Sequence, residues 1–542
     1  MFLKIKRMKK IQQQLTVFFL LFICFQSFSQ TSGKSKDDNL RRFNQVVNYI
    51  DALYVDDVDY ETIVNKAIES LIDELDPHSA YIPKSEVQAA NEKIQGNFVG
   101  IGVRFQMMKD TLNISSVIPG GPADKVGLND NDKIVFVDGE TIAGVKMSTY
   151  DIRKRLMGDL GTKVNVTIYR GKSNTPMNFT ITRGKIRINS VDCAYMIDDK
   201  IGYIKLNAFS QSTTQEIDSS INLLKKAGMK QLVLDLQNNS GGLMYAARDL
   251  ADNFISGDKL IVYSQGKKQP RIDLNAGQKE LFEKGELVVL INEFSASASE
   301  IVAGAVQDWD RGLIIGRRSF GKGLVQKPIP LIDGAELRLT ISRYYTPSGR
   351  NIQKPYEGVD DYEKDYLKRL KRGEMVTKDS IFFPDSLKFQ TLVKKRIVYG
   401  GGGIMPDVFI PMDTSALTPY FNKLYRGGYF NTFTFEYTRE HKQEIIKRYP
   451  TIKEFKSGFI IDEAYRKAFT DYANKEDSTL VFNAEEYEKN KIYIETRLKG
   501  ILASDIYGFE QSFEILNDLN EPLQEAVRIL QRNEYSKFKL AK

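Results

Sequence analysis

Three serines and one lysine stand where their surroundings could make them reactive. Residues 289–308 read VLINEFSASASEIVAGAVQD, an apolar run, a patch of small residues and then apolar positions at helical spacing. A strand that turns straight into a helix leaves the first helical N–H groups without partners, so a hydroxyl placed there faces bare donors. Such a site suits a nucleophile whose transition state carries an oxyanion. Ser295, Ser297 and Ser299 compete for that role, and each would also serve as an ordinary helix N-cap, the commoner reading for this segment alone. Residues 311–326, RGLIIGRRSFGKGLVQ, put Lys322 between Gly321 and Gly323. Flanking glycines let the backbone pack closely, and a lysine drawn out of water loses its proton more readily and can act as a general base. Most lysines are simply solvated charges, so this segment too is weak by itself. A third segment, LVLDLQNNSGGL at 232–243, ends an apolar run in Gly241 and Gly242, whose N–H groups could face a ligand or only form a turn.

Several chemistries are set aside. Gly316 to Lys322 fits G-x-x-x-x-G-K, but Gly323 stands where a Ser or Thr would hold magnesium. The residues that follow, LVQKPIPL, alternate like a strand, whereas a phosphate loop opens a helix, so nucleotide binding is rejected. The chain has two histidines, His78 and His441, too few for the usual zinc sites, and no metal or cofactor is expected. The absence of G-x-S-x-G argues against the common ester-hydrolase elbow.

The elements that must carry these residues can be read from periodicity. Residues 30–96 read as a helical region, with Ile63, Ala67, Ile68, Leu71 and Ile72 on one face before Asp76-Pro77 stops it. Residues 97–185 carry short β-like runs between glycine-rich turns, a small β-rich domain. Residues 186–354 alternate strand and helix, which argues for an α/β core. A charged helical insertion is expected at 355–395, strands returning to the core at 396–412, and a helical region at 413–542. The fold class is thus α+β and multidomain, with a β-rich domain inserted beside an α/β core.

Five of the positive charges behind the net +7 are Lys4, Lys6, Arg7, Lys9 and Lys10. They precede the apolar stretch Leu15 to Phe25 and small residues at Ser27 and Ser29, the pattern of an export signal over 1–29 cleaved before Gln30. An uncleaved membrane anchor is the alternative. The expected location is periplasmic or otherwise extracytoplasmic. The rest of the chain is nearly balanced in charge, which gives no support for nucleic-acid binding. With the signal removed Cys193 is the one cysteine left, so no intrachain disulfide is expected.

Taken together, Asp235 to Gly242 (DLQNNSGG), Ser295 to Glu300 (SASASE) and Phe320 to Gln326 (FGKGLVQ), with Leu75 to Tyr81 (LDPHSAY) ahead of them, resemble the carboxyl-terminal processing proteases over roughly residues 40–412. That resemblance implies a serine endopeptidase with Ser297 as nucleophile, Lys322 as general base and Gln326 orienting the lysine. It implies an oxyanion hole from the N–H groups of Ala298 and Gly242, with Gly241 as a further candidate. Gln237 departs from the arginine often found at its position. The domain at 97–185 resembles a PDZ module, with Phe98, Val99, Gly100, Ile101, Gly102 and Val103 as its carboxylate-binding loop, which implies polypeptide substrates held by their C-termini. Arg104 and Arg170 are candidate helpers, more simply read as solvated charges. The resemblance assigns His78 no catalytic role. Residues 413–542 are left open to docking an adaptor, a second copy of the chain, or covering the active site.

Overall fold

The structure, a computed structural model, describes residues 31–541 apart from 172, 278, 280, 357–361, 363 and 415–417. The expected export signal lies outside the described residues. The chain divides into two units, Met1–Leu71 and Ile72–Lys542. The first contains the helix Thr31–Leu53 and most of the helix Tyr60–Asp73, where Tyr60 donates to Asp51 Oδ1 at 3.0 Å.

At the centre of the second unit is a six-stranded sheet. Its spatial order is Val191–Met196, Ile201–Leu206, Gln231–Asp235, Glu286–Ile291, Leu313–Gly316 and Val408–Phe409. The first two strands are antiparallel and the rest parallel. Strands such as Glu286–Ile291 are apolar after their first residue because both faces of the sheet are covered. The helices Thr213–Lys226, Met244–Asp252 and Ala298–Asp308 pack on one face. The other face receives Leu523, Ala526, Ile529 and Leu530 of the helix Glu521–Gln531, followed by Tyr535. Residues near the end of the chain therefore complete the core, although helical periodicity alone had grouped them with the helices before them. Because the central strands are parallel, their carboxyl ends lie at one edge, where ligand sites of such sheets form. From that edge emerge all three chemistry-bearing segments, after Asp235, Ile291 and Gly316.

A second sheet orders Ala80–Ile82, Glu336–Tyr345, Leu260–Gly266 and Gln269–Asn275, with Leu324–Pro330 also pairing Glu336–Tyr345. It catches the chain immediately after Lys322. Within the expected insertion at 355–395 the described residues include the α-helix Asp365–Lys371, followed by two 3-10 turns and the short strand Lys388–Gln390. That strand pairs Ile397–Tyr399, so of the two expected return strands only Val408–Phe409 joins the core sheet.

The β-rich domain orders its strands Val103–Met108, Thr111–Val117, Lys133–Val137, Lys163–Tyr169 and Met177–Thr182 around a closed apolar core, with the helix Thr149–Leu156 beside them. Among the described residues Val103–Met108 is an edge strand, paired on one side only. The helices Pro419–Arg426 through Phe509–Leu516 enclose a separate aromatic-rich core that includes Phe430, Phe433, Phe455 and Phe469.

Candidate active site

Two of the three segments at the sheet edge are tied together by Asn239, which is wholly buried. Its Nδ2 donates to Leu206 O at 2.9 Å, and its carbonyl accepts from Ala296 N at 3.0 Å and Ser299 Oγ at 2.9 Å. This fixes the glycine turn against the serine segment. Gly241 (φ 99°) lies so close that a Cβ there would stand 2.8 Å from Ala296 O, 2.8 Å from Ser297 Cβ and 2.9 Å from Ala298 N. Glycine is needed for this approach as well as for the backbone angle.

The three serines differ in what their hydroxyls do. Ser295 and Ser299 are fully buried and donate to Leu236 O and Asn239 O. Ser297 is half-buried, and among the described residues its hydroxyl donates to no group. Its backbone sits at φ 55° and ψ −112°, a conformation that costs a non-glycine residue about 1–3 kcal/mol. Immediately after it, Ala298 N–H begins the helix. Among the described residues neither Ala298 N–H nor Gly242 N–H donates to a hydrogen bond, whereas Gly241 N–H is taken by Asn239 Oδ1 at 2.8 Å. The glycine pair thus offers one unengaged donor, on Gly242.

Lys322 reaches the same place along another route. Gly321 packs on Gly402 and Gly403, and Gly323 packs on Gln353, which accounts physically for both flanking glycines and for the second half of the four-glycine run at 400–403. Burial lowers the Lys322 ammonium below its ordinary pKa, with Asp76 and Glu300 opposing and Arg338 assisting. Its Nζ donates to Gln326 Oε1 at 3.1 Å, and among the described residues it makes no hydrogen bond to Ser297 Oγ. Gln326 in turn donates to the His78 carbonyl. The His78 ring turns elsewhere, its Nε2 2.7 Å from Tyr362 Oη, and burial first, then Lys322, hold its pKa down at about 4. Asp76 anchors this strap. Burial opposes its ionisation, but hydrogen bonds from Ser79, His78 and Thr340 keep the carboxyl below its usual range.

Two residues unremarked in the sequence join the serine and lysine segments. Glu300, wholly buried, accepts from Ser297 N at 2.8 Å and Lys322 N at 2.9 Å through one oxygen. Its other oxygen accepts from Gly321 N at 2.7 Å and Ser319 Oγ at 2.5 Å. Burial pushes its carboxyl up to about 7 against these four donors. Tyr344, 1% exposed, donates from Oη toward Ser297 O at 3.1 Å and Lys322 O at 2.5 Å. Glu300 followed a helix start with N-cap spacing, which was the available signal. Tyr344 left none, because its contacts come from a strand distant in sequence. Arg369 and Lys354 add support. Arg369 donates to the carbonyls of Arg318 and Ser319, and Lys354 Nζ lies 3.9 Å from the ring centroids of both Phe320 and Tyr362.

Peptidase family S41 matches residues 200–363, a PDZ domain matches 99–181, and a family of unknown function matches 420–508. The chain is 34% identical over 340 residues to a carboxy-terminal-processing protease of Bartonella bacilliformis, covering 61% of this chain and 77% of that one. It belongs to the S41 carboxy-terminal-processing proteases. A probable CtpA-like serine protease of Staphylococcus saprophyticus is also 34% identical, over 59% of this chain and 65% of that one. The solved photosystem II D1 C-terminal processing protease is 28% identical and covers 68% of this chain and 86% of that one, with a TM-score of 0.36. This S41 protease is accordingly a serine-type peptidase with a PDZ domain, and its fold is α+β with a helical C-terminal region.

In the PDZ domain of the protease the expected carboxylate loop divides in two. Asn97–Gly100 form a short strand antiparallel to Gly184–Arg187, so Phe98, Val99 and Gly100 are paired there. Ile101 and Gly102 make the loop itself, and among the described residues their N–H groups donate to no hydrogen bond, while Val103 starts the edge strand. A cavity of about 330 Å³ is lined by residues of this loop and strand and by Thr149, Arg153, Leu156 and Met157 of the adjoining helix and its end. Arg170 is committed elsewhere, paired with Asp132 at 2.7 Å, and Arg104 lies over the ring of Phe509 at 5.2 Å.

Proposed function

We propose that this S41 protease is an exported endopeptidase that holds polypeptide C-termini in its PDZ groove and cleaves through an acyl-enzyme formed on Ser297, with Lys322 as general base. The observation that carries the reading is the contrast among the three serines. Only Ser297 has an uncommitted hydroxyl proton, and two unengaged N–H groups, of Ala298 and Gly242, belong to the residue after it and to the turn packed against it.

The chemistry follows from these placements. Uncharged Lys322 takes the proton of Ser297 Oγ as the oxygen attacks the scissile carbonyl. The N–H groups of Ala298 and Gly242 stabilise the oxyanion, and loss of one such donor costs roughly a hundredfold or more in turnover. The lysine then protonates the leaving amine, and water attacks the acyl-enzyme to release the second product. Because Lys322 Nζ is bonded to Gln326, proton transfer requires the amine to turn toward Ser297. That motion is confined to one side chain, since Glu300 and Tyr344 already hold both backbone segments. At the PDZ domain the N–H groups of Ile101 and Gly102 receive the terminal carboxylate, the tail adds as a strand beside Val103–Met108, and its last side chain enters the apolar cavity. The basic and apolar N-terminal pattern supports export, and a mature chain beginning at Gln30 by mass spectrometry is the expected result.

Cleavage of an unstructured polypeptide tests the mechanism. Ser297→Ala and Lys322→Ala abolish it, and Lys322→Arg does not restore it, because a guanidinium keeps its proton. Turnover by Lys322→Ala near the wild-type rate would overturn the assignment.

A further inference from the structure

The PDZ cavity has a neighbour along the same edge strand. Its lining runs along the edge strand to Phe105, and a second cavity of about 480 Å³ begins at the next two residues, Gln106 and Met107. The opposite wall of the second cavity belongs to the helical C-terminal region, through Asn431, Thr432, Ser504, Asp505 and Phe509. Two contacts hold that wall against the strand. Arg104, which lines the first cavity, stacks over Phe509, which lines the second, and Lys109 beyond the strand's far end pairs Glu476 at 3.3 Å. Asp505 Oδ2 is buried without a hydrogen-bond partner, and Phe509 remains 42% exposed.

We infer that the helical C-terminal region completes the substrate groove, and that the extended residues upstream of a bound C-terminus pass from the edge strand into this second cavity. The inference rests on the PDZ groove being the tail-binding site. A strand that adds to Val103–Met108 advances about 3.4 Å per residue, so about its last four residues lie against the first cavity and those further upstream reach Gln106 and Met107. There they meet hydroxyl and amide side chains, Ile501, Leu516 and the Phe509 ring, with Asp505 as the one carboxyl, its ionisation opposed by burial, which favours uncharged residues first and basic ones ahead of acidic ones. Docking of upstream substrate residues is thereby assigned to the region that matches a family of unknown function.

The test uses the full chain carrying Ser297→Ala and two peptides with the same apolar last residue. One has about ten residues with serine and lysine upstream, and the other only about the last four of these. Calorimetry is expected to give about tenfold tighter binding for the longer peptide. Asn431→Trp at an exposed position that fills the cavity, and separately Phe509→Ala, bring the longer peptide down to the affinity of the shorter, and Asn431→Trp leaves the shorter unchanged. Equal affinity for the two lengths in the parent chain, or a length gain that survives both substitutions, overturns the inference while tail binding stands. Failure of both peptides to bind, or binding of the short peptide that survives amidation of its carboxylate, overturns the tail-groove reading and this inference with it.

Discussion

Glu300→Gln keeps the shape of a buried side chain and removes one of its two acceptor oxygens. The carboxylate receives four donors, Ser297 N and Lys322 N on one oxygen and Gly321 N and Ser319 Oγ on the other. If the glutamine oxygen stays with Ser297 and Lys322, its amide nitrogen faces Gly321 N–H and the Ser319 hydroxyl. The hydroxyl can rotate to accept, but the backbone N–H cannot, and one buried donor without an acceptor costs about 1–3 kcal/mol. The opposite orientation strands two backbone donors and costs more. The cheaper solution moves the turn that carries Lys322, and a shift of about 1 Å at a reacting group costs roughly a hundredfold in rate. The expected result is a fall in kcat of about ten- to a hundredfold, with KM for a tail-bearing polypeptide little changed because the PDZ groove is untouched. The wild-type pH profile carries a second signature. The carboxyl titrates near 7 in the folded chain against an ordinary 4.5, so kcat falls as pH drops through about 7, when protonation spoils an acceptor. Stability runs the other way. A folded pKa above the unfolded one gives stabilisation that is full below about 4.5 and lost as pH rises through about 7, a difference of about 3 kcal/mol. Glu300→Gln lacks the stability limb and the part of the acid limb that Glu300 adds, and keeps the part set by protonation of Lys322. Steady-state kinetics and thermal midpoints across pH measure them, and a variant with wild-type kcat and an unchanged acid limb would refute the clamp.

Gly241→Ala places a Cβ under 3 Å from Ala296 O, Ser297 Cβ and Ala298 N at a left-handed φ, so turnover is expected to fall about a hundredfold or more while the PDZ domain still binds tails. Unchanged kcat would show that the glycine turn does not bear on the chemistry proposed for Ser297. His78→Ala removes a ring that contacts Tyr362 but leaves the backbone carbonyl that holds Gln326, so kcat stays near wild type whereas Gln326→Ala lowers it. Because burial keeps the folded His78 pKa near 4 against an ordinary 6.5, stability falls as pH drops from about 6.5 through about 4, and thermal melts of His78→Ala show a weaker acid loss.

The local part of the site was legible because strand, turn and helix start are written in adjacent residues. Apolar runs followed by Ser240-Gly241-Gly242 or by Ser295 to Ser299 announce a junction, and glycines around Lys322 announce close packing. The choice among three serines was legible only through the family resemblance, which points to Ser297; the pattern of the segment left it open, since it depends on whether a hydroxyl proton is spent on Leu236 O, on Asn239 O, or on nothing. Those partners come from a segment about sixty residues earlier, and no periodicity encodes them. The same limit applies to Tyr344, which reads as one more β-strand aromatic although its hydroxyl joins the two reactive segments. Helix Glu521–Gln531 shows it on the scale of a fold. Its amphipathic pattern predicts a covered face but cannot say by what, and the cover is the underside of the catalytic sheet. Substitutions in a helix more than two hundred residues from Ser297 in sequence therefore bear on the strands that position Ser297. By contrast the neighbouring helices, closed around their own aromatic core, are free to serve the substrate groove.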